Sequence, residues 1–124
     1  MGAPRIAISL GDPCGIGPEV VARALAARSE VDAVVYGDVG VLARAAGAAG
    51  VPAPPTDRIR AITALGPGDV PPGKPNDESG RAQLAYLAAA ATAALAGEAA
   101  ALVTAPISKH WIARAGFTFP GHTE

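Results

Sequence analysis

A glycine- and proline-rich turn joins the first apolar run of the chain to its first helical pattern, and it reads Gly11-Asp12-Pro13-Cys14-Gly15-Ile16-Gly17-Pro18-Glu19. Residues 6–10 before the turn are apolar except for one serine, which predicts a buried strand. Residues 18–28 after it repeat apolar side chains at helical spacing. Pro18 suits the first helical position, because its missing N–H would have no intrahelical partner there. The stretch therefore predicts the strand–turn–helix unit of an α/β fold.

This turn, residues 11–19, is called the first loop below. It brings main-chain N–H groups to the positive end of a helix dipole, where ligands commonly bind. The dinucleotide pattern G-x-G-x-x-G fails because Val20 occupies its last position, and no lysine stands at the spacing of a P-loop. Glu19 would oppose an anion placed directly on the helix terminus, which disfavours a simple phosphate cradle. A tight turn without a ligand is the alternative that these residues leave open.

The composition indicates a small domain without the marks of nucleic-acid or membrane proteins. The chain has 124 residues and a net charge of −1, with charges of both signs interspersed. Its single cysteine excludes an internal disulfide and multi-cysteine zinc patterns, and it fits a reducing compartment. The N-terminus lacks a secretory pattern, and no apolar run is long enough for a membrane span. We therefore expect a cytoplasmic protein with neither nucleic acid nor membrane as a partner.

Alanine accounts for much of the apolar content, which is 50% of the chain. Alanine buries little apolar area, and each Å² of buried apolar surface contributes roughly 25 cal/mol. We therefore expect the core to supply little stabilising free energy. This predicts that the isolated chain aggregates or self-associates.

A second strand and a second helix are predicted next. Residues 33–37 form a short apolar run, and Asp38 is suited to cap a helix that reaches about residue 48 and ends at Gly50. This alternation predicts a parallel sheet covered on both faces. Residues 51–75, the proline-rich segment, contain seven prolines and a weak strand candidate at residues 59–65. We expect an irregular surface excursion there, with one or two edge strands and no task of its own.

The longest predicted helix covers about residues 80–96, with Asn76 or Ser79 as its cap and Gly97 as its end. Five residues at helical spacing predict an apolar face that serves as core scaffolding: Leu84, Leu87, Ala88, Ala91 and Leu95. Residues 100–104 then predict a third core strand.

A second polar turn follows that strand, and it reads Thr104-Ala105-Pro106-Ile107-Ser108-Lys109. In open α/β sheets ligands gather beyond the carboxyl ends of strands, so we expect this second loop, residues 104–109, to share a crevice with the first loop. Two hydroxyls and an ammonium suit a phosphate or carboxylate substrate. A solvated surface lysine is the alternative for Lys109 taken alone.

Three motifs together resemble the 4-hydroxythreonine-4-phosphate dehydrogenase family. The first loop is similar to its G-D-P-A-G-I-G-P-E opening, with Cys14 in place of alanine. The second loop fits its Thr-Gly/Ala-Pro-x-x-Lys segment, and Ala115-Gly116 follows at the family's spacing. The chain closes on the family's Phe-x-Gly-His-Thr-Glu, here residues 119–124. The resemblance covers the whole chain and is weakest in the proline-rich segment.

The resemblance implies a three-layer α/β/α fold with a largely parallel sheet, like that of isopropylmalate dehydrogenase and incomplete in this chain. Residues 1–124 would be the N-terminal part of a dehydrogenase catalytic fold, truncated before its C-terminal remainder. The family's activity is the NAD-dependent oxidation and decarboxylation of 4-phosphohydroxy-L-threonine in pyridoxal 5'-phosphate (vitamin B6) biosynthesis. The resemblance further implies NAD or NADP as the cofactor and a divalent metal ion (Zn, Mg or Co). It also implies a homodimer whose substrate is a small phosphorylated hydroxy amino acid.

The resemblance also assigns site residues. His122 and Thr123 match the pair that contacts the substrate, and Lys109 and Thr104 are further candidates for the phosphate. The active-site loop would contribute Gly11, Asp12, Gly15, Gly17 and Glu19.

Catalytic groups and the three metal-binding histidines are expected beyond residue 124, so no metal ligand is assigned here and the chain alone is expected to be inactive. Cys14 is interpreted as a small packing residue, and His110 as exposed. Two alternatives stay open. One is a dehydrogenase of a related four-carbon phosphorylated hydroxy acid, such as threonate or erythronate phosphate. The other is a non-catalytic remnant that binds a ligand.

Overall fold

The computed structural model describes residues 4–66 and 68–116, in which four strands form one parallel sheet. The strands are β1 (Ile6–Ser9), β2 (Ala33–Gly37), β3 (Ile59–Ala61) and β4 (Ala101–Thr104), in the order β3-β2-β1-β4. The helices are α1 (Gly17–Ala27), α2 (Val39–Ala49), α3 (Asp77–Leu95) and α4 (Lys109–Arg114), and one 3-10 turn covers Thr56–Arg58. Among the described residues, no helix has the length and apolar character that crossing a membrane requires.

The layers follow from the alternation of side chains along β1. Ala7 is fully buried against Ala90 of α3, on one face of the sheet. Ile8 lies on the other face, where it packs against the larger core cluster that contains Val21 of α1 and Leu42 of α2. Helices therefore lie on both faces of a parallel sheet, and the expected three-layer α/β/α class is confirmed.

The first two strand–helix units form where the sequence predicts them. The Asp38 side chain accepts hydrogen bonds from the N–H groups of Gly40 and Val41, at 3.0 and 3.2 Å, and so caps α2. Gly50 ends that helix in the left-handed conformation, with φ of 71°. These elements are set by local chemistry, which is why the sequence predicts them well.

The start of α3 combines both predicted caps. Asn76 Oδ1 accepts from the Ser79 N–H, and Ser79 Oγ accepts from the Asn76 N–H, at 2.8 and 2.9 Å. The helix therefore begins at Asp77, three residues before the predicted start.

The predicted apolar face of α3 is wrong. Its leucines are half-buried or exposed, and Leu95 is 89% exposed. The buried positions are instead Ser79, Gly80, Ala82, Gln83, Tyr86, Ala90 and Ala93. Small residues let the helix axis lie close to the sheet, so the contact side follows their positions and not the leucine spacing.

The prediction that residues 100–104 form a core strand is wrong in its burial. β4 pairs in parallel with β1, but all four of its residues are exposed, including Leu102 at 39% and Val103 at 48%. Within the described residues β4 is the edge of the sheet, and β1 is its strand neighbour.

The proline-rich segment contains one short edge strand, β3, as expected, but it also has a structural task. Val70 is fully buried, and the Leu65 N–H and the Thr63 hydroxyl donate to Asp38 Oδ2, at 2.8 and 3.2 Å. Asp38 therefore ties this segment to the start of α2.

Candidate active site

The two loops that the sequence singles out touch each other at the carboxyl end of the sheet. The Asp12 N–H donates to the Pro106 carbonyl oxygen at 3.0 Å. Gly11 has φ of 78°, and a Cβ placed on it would overlap the Pro106 carbonyl oxygen and lie 2.9 Å from that of Ala105. The predicted proximity of the first and second loops is confirmed and depends on glycine at position 11, while the crevice between them stays a prediction.

Asp12 shapes the first loop from inside. Its carboxyl is 7% exposed, and Oδ1 accepts the Cys14 N–H at 2.9 Å. Burial raises the pKa of Asp12, while the Cys14 hydrogen bond acts in the opposite direction. The Asp12 carbonyl oxygen also accepts the Gly15 N–H at 3.0 Å, so residues 12–15 form a closed turn.

The far end of the first loop opens α1. A Cβ on Gly17 would lie 2.7 Å from the Leu10 carbonyl oxygen, so this position needs a residue without a side chain. Pro18 is the second residue of the helix, one position after the predicted one, because the helix begins at Gly17. The Glu19 carboxylate bonds Arg23 Nε at 3.0 Å on the helix surface. A small cavity of about 100 Å³ lies beside this end of the loop, between it and α2.

Cys14 is a packing residue, as the sequence predicts. It is 3% exposed and belongs to the main core cluster. Burial raises the pKa of its thiol, which disfavours the thiolate. Its carbonyl oxygen accepts the Gly73 N–H at 2.7 Å, which attaches the proline-rich segment to the first loop.

Arg44 is a support of the first loop that sequence reasoning missed. Its Nη2 donates to the Pro13 carbonyl oxygen at 2.9 Å, and its Nη1 donates to the Val70 carbonyl oxygen at 2.8 Å. The guanidinium therefore joins α2, the first loop and the proline-rich segment. The contact to Pro13 spans 31 residues, and no local pattern marks it.

The second loop is held from the side of α3. Gln83 Oε1 accepts the Ser108 N–H at 2.8 Å, and Gln83 itself is fully buried. Lys109 is the first residue of α4 and is half-buried, while Thr104 is exposed at the end of β4. Gln83 was assigned no role from the sequence, because its contact with Ser108 spans 25 residues and no local pattern marks it.

Helix α4 is fixed against α3 at two further points. A Cβ on Gly80 would overlap the Trp111 carbonyl oxygen, which shows how close the two backbones lie. Arg114 Nε donates to Asp77 Oδ1 at 2.8 Å. His110 is exposed, as predicted, and its ring meets that of Trp111 edge-on, with centroids 5.0 Å apart.

The predicted substrate pair, His122 and Thr123, lies outside the described residues, so its assignment stays a prediction. Within residues 4–66 and 68–116, no group of three or more His, Cys, Asp or Glu side chains is placed to hold a metal ion. The second loop contributes the hydroxyls of Thr104 and Ser108 and the ammonium of Lys109, which are groups that can bind an anion.

The sequence model of the family described as "Pyridoxal phosphate biosynthetic protein PdxA" matches residues 29–124. The 4-hydroxythreonine-4-phosphate dehydrogenase of Trichlorobacter lovleyi is 40% identical over 98% of this chain and 41% of its own length. The D-threonate 4-phosphate dehydrogenase of Bordetella bronchiseptica is 35% identical over 98% of this chain and 40% of its own length.

Known structures are similar as well. The crystal structure of a 4-hydroxythreonine-4-phosphate dehydrogenase from Burkholderia phymatum superposes with a TM-score of 0.82 and 30% identity, over 98% of this chain and 42% of that one. The chain therefore spans about two fifths of the length of the proteins that it resembles.

Proposed function

Because the chain belongs to the family of pyridoxal phosphate biosynthetic protein PdxA, we propose that it forms part of a dehydrogenase of 4-phosphohydroxy-L-threonine. The observation that carries the proposal is the direct contact between the first and second loops, each of which bears a motif of that family. The names of the similar proteins support a dehydrogenase acting on a phosphorylated hydroxy acid. The reaction would convert the secondary alcohol of the substrate to a ketone, and the resulting β-keto acid would lose carbon dioxide.

In this proposal the described residues bind and orient the substrate. The ammonium of Lys109 and the hydroxyl of Thr104 receive the phosphate, together with His122 and Thr123. The first loop, with Gly11, Asp12, Gly15, Gly17 and Glu19, forms the adjacent wall. When bound, NAD or NADP would accept the hydride, and a divalent metal held by histidines outside this chain would polarise the substrate oxygen.

We further propose that residues 1–124 are the N-terminal part of the catalytic fold and that the active form is a cytoplasmic homodimer. On this view, turnover requires groups beyond residue 124, and the 124-residue chain alone is inactive. Comparing the activity of this chain with that of the complete gene product tests whether groups beyond residue 124 are required. Activity in the short chain would contradict it.

The main experiment is a steady-state assay of the complete gene product with 4-phosphohydroxythreonine and NAD. We expect reduced cofactor and carbon dioxide in equal amounts. Lys109→Met should raise KM by about 10- to 100-fold, since a hydrogen bond to a charged group contributes about 1.5–3 kcal/mol. Lys74→Met is the matched control, because Lys74 is exposed in the proline-rich segment and should leave KM unchanged. Absence of turnover on any phosphorylated four-carbon hydroxy acid would contradict the proposal and favour a non-catalytic, ligand-binding protein.

A second candidate substrate is a threonate or erythronate phosphate. The similarity to a D-threonate 4-phosphate dehydrogenase favours it. The anion-binding groups named above would serve either substrate, because both carry the phosphate. The ratio of kcat/KM for the two substrates discriminates between the candidates, and a higher value for D-threonate 4-phosphate would assign the second.

A further inference from the structure

Gln83 has a hydrogen-bonding pattern that stability alone does not explain. It is fully buried on α3, and its Oε1 accepts the Ser108 N–H at 2.8 Å. Its Nε2 has no hydrogen-bond partner among the described residues. Leaving a buried donor unsatisfied destabilises the fold, whereas an apolar side chain of similar size carries no such penalty. Methionine or leucine would fill this position equally well, so what glutamine adds here is the hydrogen bond to the Ser108 N–H.

The surroundings of Gln83 belong to the active-site end of the sheet. Ser9, the last residue of β1, is also fully buried, and its Oγ also has no partner among the described residues. Ser9 lies opposite Thr104 in the register of β1 and β4. It shares a face of the sheet with Ala7, which packs against Ala90 of α3. Both unsatisfied side chains thus lie on the α3 face at the end of the sheet where the second loop begins.

The Gln83 contact fixes the second loop at the residue directly before Lys109. Ser108 is the N-cap of α4, and its own side chain makes no capping hydrogen bond. The body of α4 is held separately, by the close contact of Trp111 with Gly80 and by the Arg114–Asp77 pair. Loss of the Gln83 contact would therefore release the start of α4 while the rest of the helix stays anchored.

We propose that Gln83 is a positioning residue: through its hydrogen bond to Ser108, it sets the direction in which Lys109 leaves the second loop towards a bound phosphate. The inference rests on the proposed function for the role of Lys109. In this role Gln83, which lies on α3, does not contact the substrate. It acts through the main chain of Ser108.

Two kinds of variant separate this role from a packing role. Gln83→Met and Gln83→Leu remove both the acceptor and the unsatisfied donor. Gln83→Asn keeps the buried amide but, being one methylene shorter, draws its acceptor away from the Ser108 N–H. Binding of inorganic phosphate to the complete gene product, measured by titration calorimetry, gives a readout that does not need turnover.

We expect Gln83→Met to weaken phosphate binding about tenfold, which is about 1.4 kcal/mol, and to raise the KM of a phosphorylated substrate similarly while kcat changes less. Its melting temperature should change little, because one buried unsatisfied donor is removed while the half-buried Ser108 N–H loses its acceptor. Gln83→Asn should weaken phosphate binding as Gln83→Met does, and Lys74→Met should match the wild type.

Several outcomes would overturn the inference. Unchanged phosphate affinity in Gln83→Met or in Gln83→Asn, or no phosphate binding by the wild type, would each do so. Unfolding of both apolar variants would show that Gln83 serves the fold instead. Phosphate binding that depends on Gln83, in a protein that oxidises no phosphorylated hydroxy acid, would remove the proposed function and leave this inference standing.

Discussion

The first and second loops meet at Pro106 but are supported in different ways. The first loop is buried over residues 11–14, and it is held by Arg44 of α2 and by Gly73 of the proline-rich segment. The second loop is exposed at Thr104 and Pro106, and it is held by Gln83 of α3. The first loop is thus part of the core, whereas the second loop enters the core at Ala105 and is otherwise held by the helix pair α3 and α4.

This difference predicts which substitutions lower the stability of the fold and which lower ligand affinity. A change that disturbs the first loop should lower the stability of the whole fold, because the loop is continuous with the main core cluster through Leu10 and Cys14. A change at the supports of the second loop should alter ligand affinity more than stability. The following variants test the contrast, and each free energy of unfolding refers to urea denaturation of the complete gene product.

Gly11→Ala should have the largest effect, because it acts where the loops join. The methyl group would overlap the Pro106 carbonyl oxygen, and alanine would be strained at φ of 78°. Overpacking and left-handed strain together predict a loss of about 2–5 kcal/mol. Gly50→Ala is the matched control: its φ is 71°, nothing lies within 4 Å of the added carbon, and the expected loss is about 1–2 kcal/mol. Equal losses of unfolding free energy in the two variants would mean that the contact between the loops does not contribute to stability.

Arg44→Met should come second. It keeps most of the apolar side-chain length and removes the hydrogen bonds to the Pro13 and Val70 carbonyl oxygens. We expect a loss of about 1.5–3 kcal/mol. Arg23→Met, which breaks a surface ion pair with Glu19, is the control and should have little effect. If the two variants lose the same free energy of unfolding, the Arg44 hydrogen bonds from α2 do not stabilise the first loop.

Asp12→Asn should change the pH dependence of stability. Burial raises the pKa of Asp12, so its contribution is fully present below the ordinary value of 3.8 and is lost as the pH rises through the folded-state pKa. Asparagine keeps an oxygen acceptor for the Cys14 N–H and does not ionise. The variant should therefore gain stability relative to the wild type as the pH rises above 4, roughly. Parallel pH profiles for the two proteins would contradict this.

Asp77→Asn should have the smallest effect. The Arg114 hydrogen bond lowers the pKa of Asp77, so the pair stabilises at neutral pH and its contribution is lost as the pH falls. Both side chains are about half exposed, so salt should screen the pair. The wild type and the variant should become indistinguishable in about 1 M salt. A large loss of unfolding free energy that persists at high salt would contradict this. It would show that the ion pair contributes more to holding α4 than Gly80 and Gln83 do.

The sequence predicted the parts of the fold whose causes are local. The strand at residues 33–37, the Asp38 cap, the Gly50 end and the Asn76–Ser79 cap are each decided within a few residues. The meeting of the two loops was also predictable, since parallel strands place their carboxyl ends at one edge.

The errors concern contacts between distant residues. The buried side of α3 depends on how closely its backbone approaches the sheet and α4, and leucine spacing does not report that distance. The exposure of β4 depends on which elements cover it. Arg44 and Gln83 reach partners 31 and 25 residues away, so no motif identifies them.

The outer edge of β4 has a consequence for anyone who produces this chain alone. Within the described residues its strand neighbour is β1, so the main-chain donors and acceptors on its other side form an unpaired ladder. Such a ladder can accept a strand from another molecule, and Leu102 and Val103 would add apolar contact. Self-association of a recombinant chain should then begin at this edge, and a lysine or proline placed in β4 should prevent it.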